Sequence, residues 1–411
     1  MNELIKNKSF LLITFGQGIS GLGNTFSVFL MSWLLYDLTG SIFAMGTIWF
    51  VYVSSMIICH IISGPYLDRY DKKQIMIFSE WMKAIIFLLP LISLLNGSLT
   101  AEILYIVVIL LGLIEPLFRP ACMSYLTSIV KSNNLLKANA TLESLLQIMM
   151  VIGPSLGGVM IGILEPQTII IILISLLVFS GIMLLFVPKE NRTWAGVEKN
   201  TWFSEFKEGL YFFKQNKLFL WIAGLIFFVN FGSGATQPML LPFVLEELNG
   251  NSLQYGLISS GVAFGMLLGS LIVSSFEKVG SLKFIMLGAL TLSGIFLMLI
   301  GSVSEFYLAF TCILLYGLFI VVFNINNTTL YQQRVPDNIR GRVFLVRGLL
   351  ARIGIPIGAV TGAFIAEIIG FRYLFILLGL ITIIPCIIAW NLPSFNQLNS
   401  HAGEDTKKVS I

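Results

Sequence analysis

Apolar and polar residues follow one another along this chain in long blocks, with twelve apolar stretches separated by short polar segments. The stretches cover residues 9–37, 42–66, 74–95, 102–126, 142–163, 168–187, 217–245, 253–275, 283–302, 306–330, 344–366 and 372–391. A bilayer core about 30 Å thick needs roughly 20 apolar residues in a helix to cross it. The pattern therefore predicts an all-α integral membrane protein with twelve transmembrane helices, called spans 1 to 12 below.

The polar segments differ in charge, and this difference predicts the orientation of the chain. Basic side chains recur in both terminal segments and in the loops after spans 2, 4, 6, 8 and 10. The remaining loops carry no basic residue other than Arg372. Loops rich in basic residues stay on the cytoplasmic side of a membrane. We expect a multi-pass protein with both termini in the cytoplasm. A composition rich in Ile, Asn, Lys and Phe suggests a bacterial cell membrane.

Composition excludes several other classes of protein. Apolar residues make up 56% of the chain and charged residues 11%, against roughly 25% charged in soluble domains. The net charge of +4 reflects the basic loops and predicts no nucleic-acid partner. The four cysteines lie inside spans without metal-ligand spacing, and no nucleotide-binding lysine loop or catalytic triad is present. We therefore expect no enzyme activity, no metal, no cofactor and no use of ATP.

The widest polar gap divides the chain into two similar halves. A displacement of 205 positions superimposes four glycines of the first half on glycines of the second: Gly64 on Gly269, Gly112 on Gly317, Gly153 on Gly358, and Gly157 on Gly362. This predicts two pseudo-symmetric six-helix bundles, residues 1–187 and 217–393, with a cytoplasmic linker at 188–216 and a cytoplasmic tail at 394–411. Such duplication resembles the major facilitator superfamily, whose fold implies a substrate site between the halves near the membrane midplane.

The linker contains apolar residues at helical spacing between Trp202 and Phe213, with charged residues between them. This spacing is typical of an amphipathic helix that lies on the inner membrane surface. A plain connecting helix is the alternative interpretation.

The loop after span 2 reads GPYLDRYDKK and resembles the major facilitator signature G-x-L-A-D-R-x-G-R-K. Asp68 can accept hydrogen bonds from the free amides of a helix N-terminus and interact favourably with its dipole. The resemblance implies that span 11 supplies this N-terminus and that the contact holds the cytoplasmic side closed. We expect Gly64, Asp68 and Arg69 to form this conformational latch. The chain departs from the signature with Leu67 in place of alanine and Asp71 in place of glycine, so the turn can differ.

Span 5 contains Gly153, Pro154, Gly157 and Gly158, which resemble the G-x-x-x-G-P-x-x-G-G motif of antiporters. Met149 replaces the leading glycine. Glycines four residues apart form a flat strip for close helix packing, and proline kinks the helix. The motif favours export over import.

Three further segments and the stretch LYQQRVPDNIRGR resemble drug:proton antiporters of the macrolide-efflux and siderophore-export type. The three segments are Leu38–Ser41, Glu80–Lys83 and Lys137–Ala140. The resemblance covers the whole chain and specifies the branch better than the substrate.

Polar residues inside the spans concentrate on spans 1, 4, 7 and 10, the helices that line the central cavity in this superfamily. The candidate cavity residues are Gln17, Asn24, Asn230, Gln237, Asn324 and Asn327. Each amide could instead bond across helices, but the joint pattern favours a hydrated cavity.

Glu115 of span 4 is the main candidate for ion coupling, since an ionisable residue inside the membrane defaults to a functional role. Arg119, one helical turn further on, could pair with it in a static ion pair, and recognition of a cation is a third possibility. Glu80 and Lys83 are expected to form an ion pair near the inner surface. Other charged residues at the ends of spans 5 and 11 are expected to form an inner gate network: Glu143, Arg347 and Arg352.

These observations predict a monomeric secondary transporter that exports a small amphipathic compound, such as a macrolide-like drug, in exchange for protons. Its partners would be the substrate, protons and the lipid bilayer. Export of a siderophore or peptide and uptake of a substrate are alternatives within transport. A receptor or scaffold that transports nothing is the alternative from a different class.

Overall fold

A computed structural model describes residues 6–67, 70–130, 134–188, 202–274 and 281–398 of the chain. Helices α1 to α6 are Lys8–Thr39, Ile42–Leu67, Lys72–Leu95, Ala101–Ile129, Leu135–Ile163 and Pro166–Leu185. Helix α7 is Trp202–Gln215, and helices α8 to α14 are Lys217–Pro242, Ser252–Ser274, Leu282–Ile300, Phe306–Arg334, Asp337–Ile369, Phe371–Asn391 and Pro393–Asn396. A π-helical turn, Phe243–Glu247, extends α8. Within these ranges twelve helices are long and apolar enough to cross a membrane, which confirms the predicted count.

Local signals set several helix ends. The side chain of Asn7 accepts a hydrogen bond from the amide of Phe10 at the start of α1, and Asp71 does the same for Lys73 at α3. Gly40 ends α1 with a φ of 58°, a left-handed conformation that glycine adopts without steric cost. Helix α12 begins seven residues before predicted span 11, because its first two turns are polar and hydropathy alone does not detect them.

The chain divides into two compact units. The first unit contains residues Met1–Val197 and Val244–Ser260, and the second contains Glu198–Phe243 and Gly261–Ile411. The division differs from the predicted bundles because residues 244–260 are grouped with the first unit. Close packing explains this grouping, since the carbonyl oxygen of Ser252 lies against Gly158 of α5, and Ser155 Oγ is 2.7 Å from Ser260 Oγ.

Four helix contacts recur in both units. In the first unit α1 packs against α5 and α6, and α3 packs against α4 and α6. In the second unit α8 packs against α12 and α13, and α10 packs against α11 and α13. The order of the helices along each half is the same, so these contacts support the predicted duplication.

Buried positions define the register of the repeat more closely than the glycines do. Corresponding buried positions of α1 and α8 are 209 residues apart in the sequence. The separation is 210 residues for α3 and α10, and 205 residues for α4 and α11. Buried pairs at these displacements include Ile13 and Ile222, Phe26 and Ala235, Met76 and Met286, Phe87 and Leu297, Phe118 and Phe323, and Tyr125 and Leu330. The change from 210 to 205 arises because α3 has 24 residues and α10 has 19.

The structure therefore corrects one of the predicted glycine pairs. A Cβ at Gly112 would lie 2.7 Å from the carbonyl oxygen of Tyr52, and one at Gly317 would overlap the carbonyl oxygen of Val262. Tyr52 on α2 and Val262 on α9 are 210 positions apart, so equivalent residues of these two helices differ by 210. Gly64 and Gly269 differ by 205 and are therefore not equivalent. The pair of Gly112 and Gly317, on α4 and α11, is supported.

The linker helix α7 packs against α12. Phe213 is 2% exposed, Glu208 forms an ion pair with Arg342, and Gly209 lies against the backbone of Arg342. Leu210 and Tyr211 stay exposed. Part of the apolar face of α7 is thus covered by protein, and only the remainder is free to contact a membrane surface.

Helices α8 and α12 approach each other through glycine. A Cβ at Gly354 would lie 2.7 Å from the carbonyl oxygen of Phe227, and one at Gly358 would overlap that of Phe231. Neither partner atom can move without displacing a helix backbone. The contact between these two helices thus depends on the absence of side chains at both glycines.

We expect Gly358→Ala to destabilise the protein by about 1–3 kcal/mol, because the added methyl group forces α8 and α12 apart. Gly348→Ala on the same helix is the control, since a Cβ there has no atom within 4 Å. Its higher helix propensity should leave stability unchanged or raise it by up to about 1 kcal/mol. Thermal unfolding in detergent measures both variants, and equal melting temperatures would contradict the packing argument.

Candidate functional site

A cluster of three charged side chains lies inside the first unit, where α1, α3 and α4 meet. Lys83 Nζ is 2.6 Å from Glu80 Oε1 and 3.4 Å from Glu115 Oε2, and it donates a hydrogen bond of 2.8 Å to Ser20 Oγ. The side chains of Glu80 and Lys83 are 0% and 4% exposed, and that of Glu115 is 17% exposed. The cluster therefore contains two carboxylates and one ammonium group, and only Glu115 retains appreciable access to the surroundings.

The cluster bears on two predictions made from the sequence. Glu80 and Lys83 form the predicted ion pair, and both side chains are buried. The proposed pair of Glu115 with Arg119 is wrong, because Glu115 pairs with Lys83 and Arg119 pairs with Glu143 of α5. Arg119 is 56% exposed and is bound by Glu143, whereas Glu115 faces the buried ammonium group.

Two predicted cavity residues lie in the first unit beside this cluster. Gln17 is 3% exposed, and its Oε1 has no hydrogen-bond partner among the described residues. Asn24 Oδ1 accepts a hydrogen bond of 2.8 Å from the hydroxyl group of Tyr52 on α2. Gln17, Ser20 and Asn24 are spaced three and four residues apart, so they follow one face of α1. That face contributes Ser20 to the Lys83 site.

The other predicted cavity residues lie in the second unit. Asn230 and Gln237 are half-buried on α8, and Asn230 donates to the carbonyl of Ile226 one turn earlier. On α11 Asn324 is half-buried and Asn327 is fully buried. Neither the oxygen nor the nitrogen of the Asn327 side chain has a partner within the described part of the chain. A buried amide with both groups unsatisfied is costly, so Asn327 is a position where water or a ligand atom would be stabilising.

The glycines predicted from span 5 make close helix contacts. Gly153 lies against Thr25, and Gly157 lies against Phe26 and Phe29, all on α1. Gly158, next to Gly157, contacts Ser252 instead. The motif thus packs against α1 on one side and against Ser252 on another. Pro154 lies inside α5, next to Gly153.

The arginines predicted for the inner gate lie in the second unit on α12. Arg347 donates to Thr328 Oγ1 over 3.1 Å, and its guanidinium carbon is 4.6 Å from the ring centre of Tyr331. Arg352 has an exposed side chain. Of the predicted latch, Gly64 belongs to α2, whereas Asp68 and Arg69 lie outside the described residues.

Comparison with known proteins identifies the class of this chain. A family model described as transmembrane secretion effector matches residues 4–409. The chain belongs to this family of major facilitator transporters. The transporter is 26% identical over 342 residues to macrolide efflux protein A of Streptococcus pyogenes, which covers 82% of this chain and 83% of the relative. It is 23% identical over 415 residues to multidrug efflux pump Tap of Mycolicibacterium fortuitum, covering 96% of this chain and 98% of the pump.

Solved structures agree with the fold. The crystal structure of a bacterial homologue of the iron transporter ferroportin matches with a TM-score of 0.71 and 16% identity. The match covers 97% of this transporter and 99% of the homologue. At this level of identity the likeness shows the major facilitator fold and leaves the substrate to other arguments.

The chemistry available at the cluster is proton binding. Two carboxylates that share one ammonium group leave a net negative charge when all three groups are ionised, and burial makes that charge costly. A proton bound by one carboxylate removes the excess charge. Among the described residues no group of three or more His, Cys, Asp or Glu side chains is arranged to hold a metal ion.

Sequence reasoning named Glu80, Lys83 and Glu115 but did not bring them together, and it missed Ser20 and Tyr52. Glu80 and Lys83 are three residues apart, a spacing that indicates a shared helix face. The sequence contains no comparable signal for the contact between α3 and α4.

We expect Lys83→Met to destabilise the transporter by about 3–5 kcal/mol, because it leaves buried carboxylates without a counter-ion. The double variant E80Q/K83M should recover much of this loss, since it removes both charges of the closest pair. Arg119→Gln breaks an exposed ion pair and should cost less than about 1 kcal/mol. Thermal unfolding in detergent at fixed pH compares them, and equal losses for Lys83→Met and Arg119→Gln would contradict the burial argument.

Proposed function

We propose that this transporter exports a small amphipathic compound in exchange for protons. The export direction is supported by the similarity to macrolide and multidrug efflux proteins and by the span 5 glycine motif. A macrolide-like drug is the substrate class that these relatives favour. Many apolar and aromatic side chains in the spans suit a compound of this kind.

Energy for export would come from the proton gradient. The sequence has no nucleotide-binding lysine loop, which leaves an ion gradient or the substrate's own gradient as the energy source. The observation that carries the proposal is the position of Glu115, a carboxylate 17% exposed that lies 3.4 Å from a buried ammonium group. A carboxyl group in this position can bind and release a proton when its access to water changes.

The exchange would proceed by alternating access of two bundles, residues 1–187 and 217–393, connected by the linker at 188–216. The termini and the tail at 394–411 would lie in the cytoplasm of a bacterial cell, and the transporter would act as a monomer. The amides of α1, α8 and α11 would line the substrate cavity. Asp68 would hold the closed cytoplasmic side together with Gly64 and Arg69, and Glu143, Arg347 and Arg352 would form the inner gate network.

We expect proteoliposomes containing the protein to accumulate a radiolabelled macrolide when a pH gradient is imposed, and to lose this accumulation with a protonophore. Glu115→Gln should reduce it to the level of liposomes without protein, because the variant cannot bind the coupling proton. Exchange of labelled for unlabelled macrolide without a gradient should persist.

Glu102→Gln is the matched control, since Glu102 is an exposed carboxylate at the start of the same helix. It should transport as the unsubstituted protein does. Gradient-driven transport by Glu115→Gln at the normal rate would remove Glu115 from the coupling site. Macrolide movement that ignores the pH gradient would overturn proton exchange itself.

We expect Asp68→Asn to lower macrolide transport several-fold while leaving expression and membrane insertion unchanged, because the amide lacks the charge that interacts with a helix N-terminus. Asp71→Asn in the same loop is the control. Asp71 Oδ1 accepts a hydrogen bond from the amide of Lys73, and asparagine caps a helix equally well. Transport rates normalised to protein amount test the pair, and equal rates for both variants would exclude the latch.

A further inference from the structure

Comparison of the two units shows which parts of the charged cluster the fold itself requires. In the second unit Ser20, Glu80, Lys83 and Glu115 correspond to Val229, Leu290, Ser293 and Ile320, at the displacements that align the buried positions. All four of these residues are buried, with 7%, 1%, 0% and 8% of their surface exposed. These positions of α8, α10 and α11 are therefore buried without any charged side chain.

The repeat thus acts as an internal control for stability. Buried ion pairs are often no more stabilising than apolar residues. The second unit has apolar residues at three of the four positions and the small uncharged Ser293 at the fourth. Packing alone does not explain why the first unit retains two carboxylates and an ammonium group. A function that depends on charge explains it.

The geometry within the cluster is unequal. Lys83 Nζ lies 0.8 Å closer to Glu80 than to Glu115, at 2.6 Å against 3.4 Å. Glu80 is completely buried, and its Oε2 has no hydrogen-bond partner within the described part of the transporter. The ammonium group is also held by Ser20 and lies 5.7 Å from the ring centre of Phe118. Lys83 is thus fixed beside Glu80, while its contact with Glu115 is the looser one.

We infer that Glu80 and Lys83 complete the proton site of Glu115, with Lys83 as a counter-ion shared between the two carboxylates. When Glu115 binds a proton, Lys83 and Glu80 remain as a neutral pair. When the proton leaves, the ammonium group balances part of the charge on both carboxylates. Glu80 and Lys83 are positioning residues, and their part in transport rests on the proposed proton exchange.

The inference predicts that the two partners affect proton binding in opposite directions. Without Glu80, Lys83 serves Glu115 alone and favours its ionised form, so Glu115 should release its proton at lower pH. Without Lys83, two carboxylates face each other with no counter-ion, so Glu115 should hold its proton to higher pH. A residue with only a structural role would not produce shifts of opposite sign.

Infrared difference spectroscopy of the purified protein in liposomes tests this without any transport substrate. The carbonyl band of a protonated carboxyl group is followed against pH, and the band that Glu115→Gln removes is assigned to Glu115. We expect Glu80→Gln to move its midpoint down and Lys83→Met to move it up, each by about one pH unit, which is a tenfold change in proton affinity. Glu102→Gln should leave the midpoint unchanged.

The double variant E80Q/K83M keeps the test decisive if Lys83→Met does not fold. It removes one negative and one positive charge, so its midpoint should return close to that of the unsubstituted protein. Shifts in the same direction for both single variants, or a double variant that stays at the Glu80→Gln midpoint, would overturn the shared counter-ion.

The outcomes separate this inference from the proposed function. Midpoints that shift as expected in a protein that shows no proton-driven macrolide transport support the cluster and overturn proton exchange. Proton-driven transport with unshifted midpoints supports the exchange and overturns the role of Glu80 and Lys83.

Discussion

The contact of one buried ammonium group with two carboxylates is the interaction on which the proposed proton exchange of this transporter depends. Lys83 Nζ lies within 3.4 Å of both Glu80 and Glu115, in a region where Glu80 and Lys83 are almost inaccessible. Moving a charged side chain from water into the interior of a protein costs several kcal/mol per ion. Such a cluster is tolerated only with close partners, and its excess negative charge makes it responsive to a single proton.

The second unit of the duplicated fold allows a direct comparison with this cluster. Both units bury the same positions on corresponding helices, yet the second unit fills them with Leu290, Ser293 and Ile320. Burial at these positions does not need charge, and this supports the proposed role of the first unit's charges in proton exchange. Among the described residues the buried charged side chains, Lys72, Glu80 and Lys83, all lie in the first unit, and Asn327 of the second unit has a buried amide without a partner.

Close contacts at glycine hold the helices around these sites. Gly153 and Gly157 of α5 lie against side chains of α1, the helix that carries Ser20, and Gly354 and Gly358 of α12 lie against the backbone of α8. Apolar side chains add little attraction between helices that are already surrounded by lipid. Glycine contributes by letting helices approach closely, so these glycines help to determine which helices are neighbours.

The sequence by itself determined the number of helices, the two-part repeat and the family, because hydropathy, glycine spacing and short motifs are properties of single segments. It also identified Glu115 as an ionisable residue inside the membrane. It did not predict that Lys83 would be the partner of Glu115, that Arg119 would pair with Glu143, or that the repeat changes register by five residues after α3. Only the tertiary structure decided these points, since helices far apart in sequence must pack before a charged side chain has a partner.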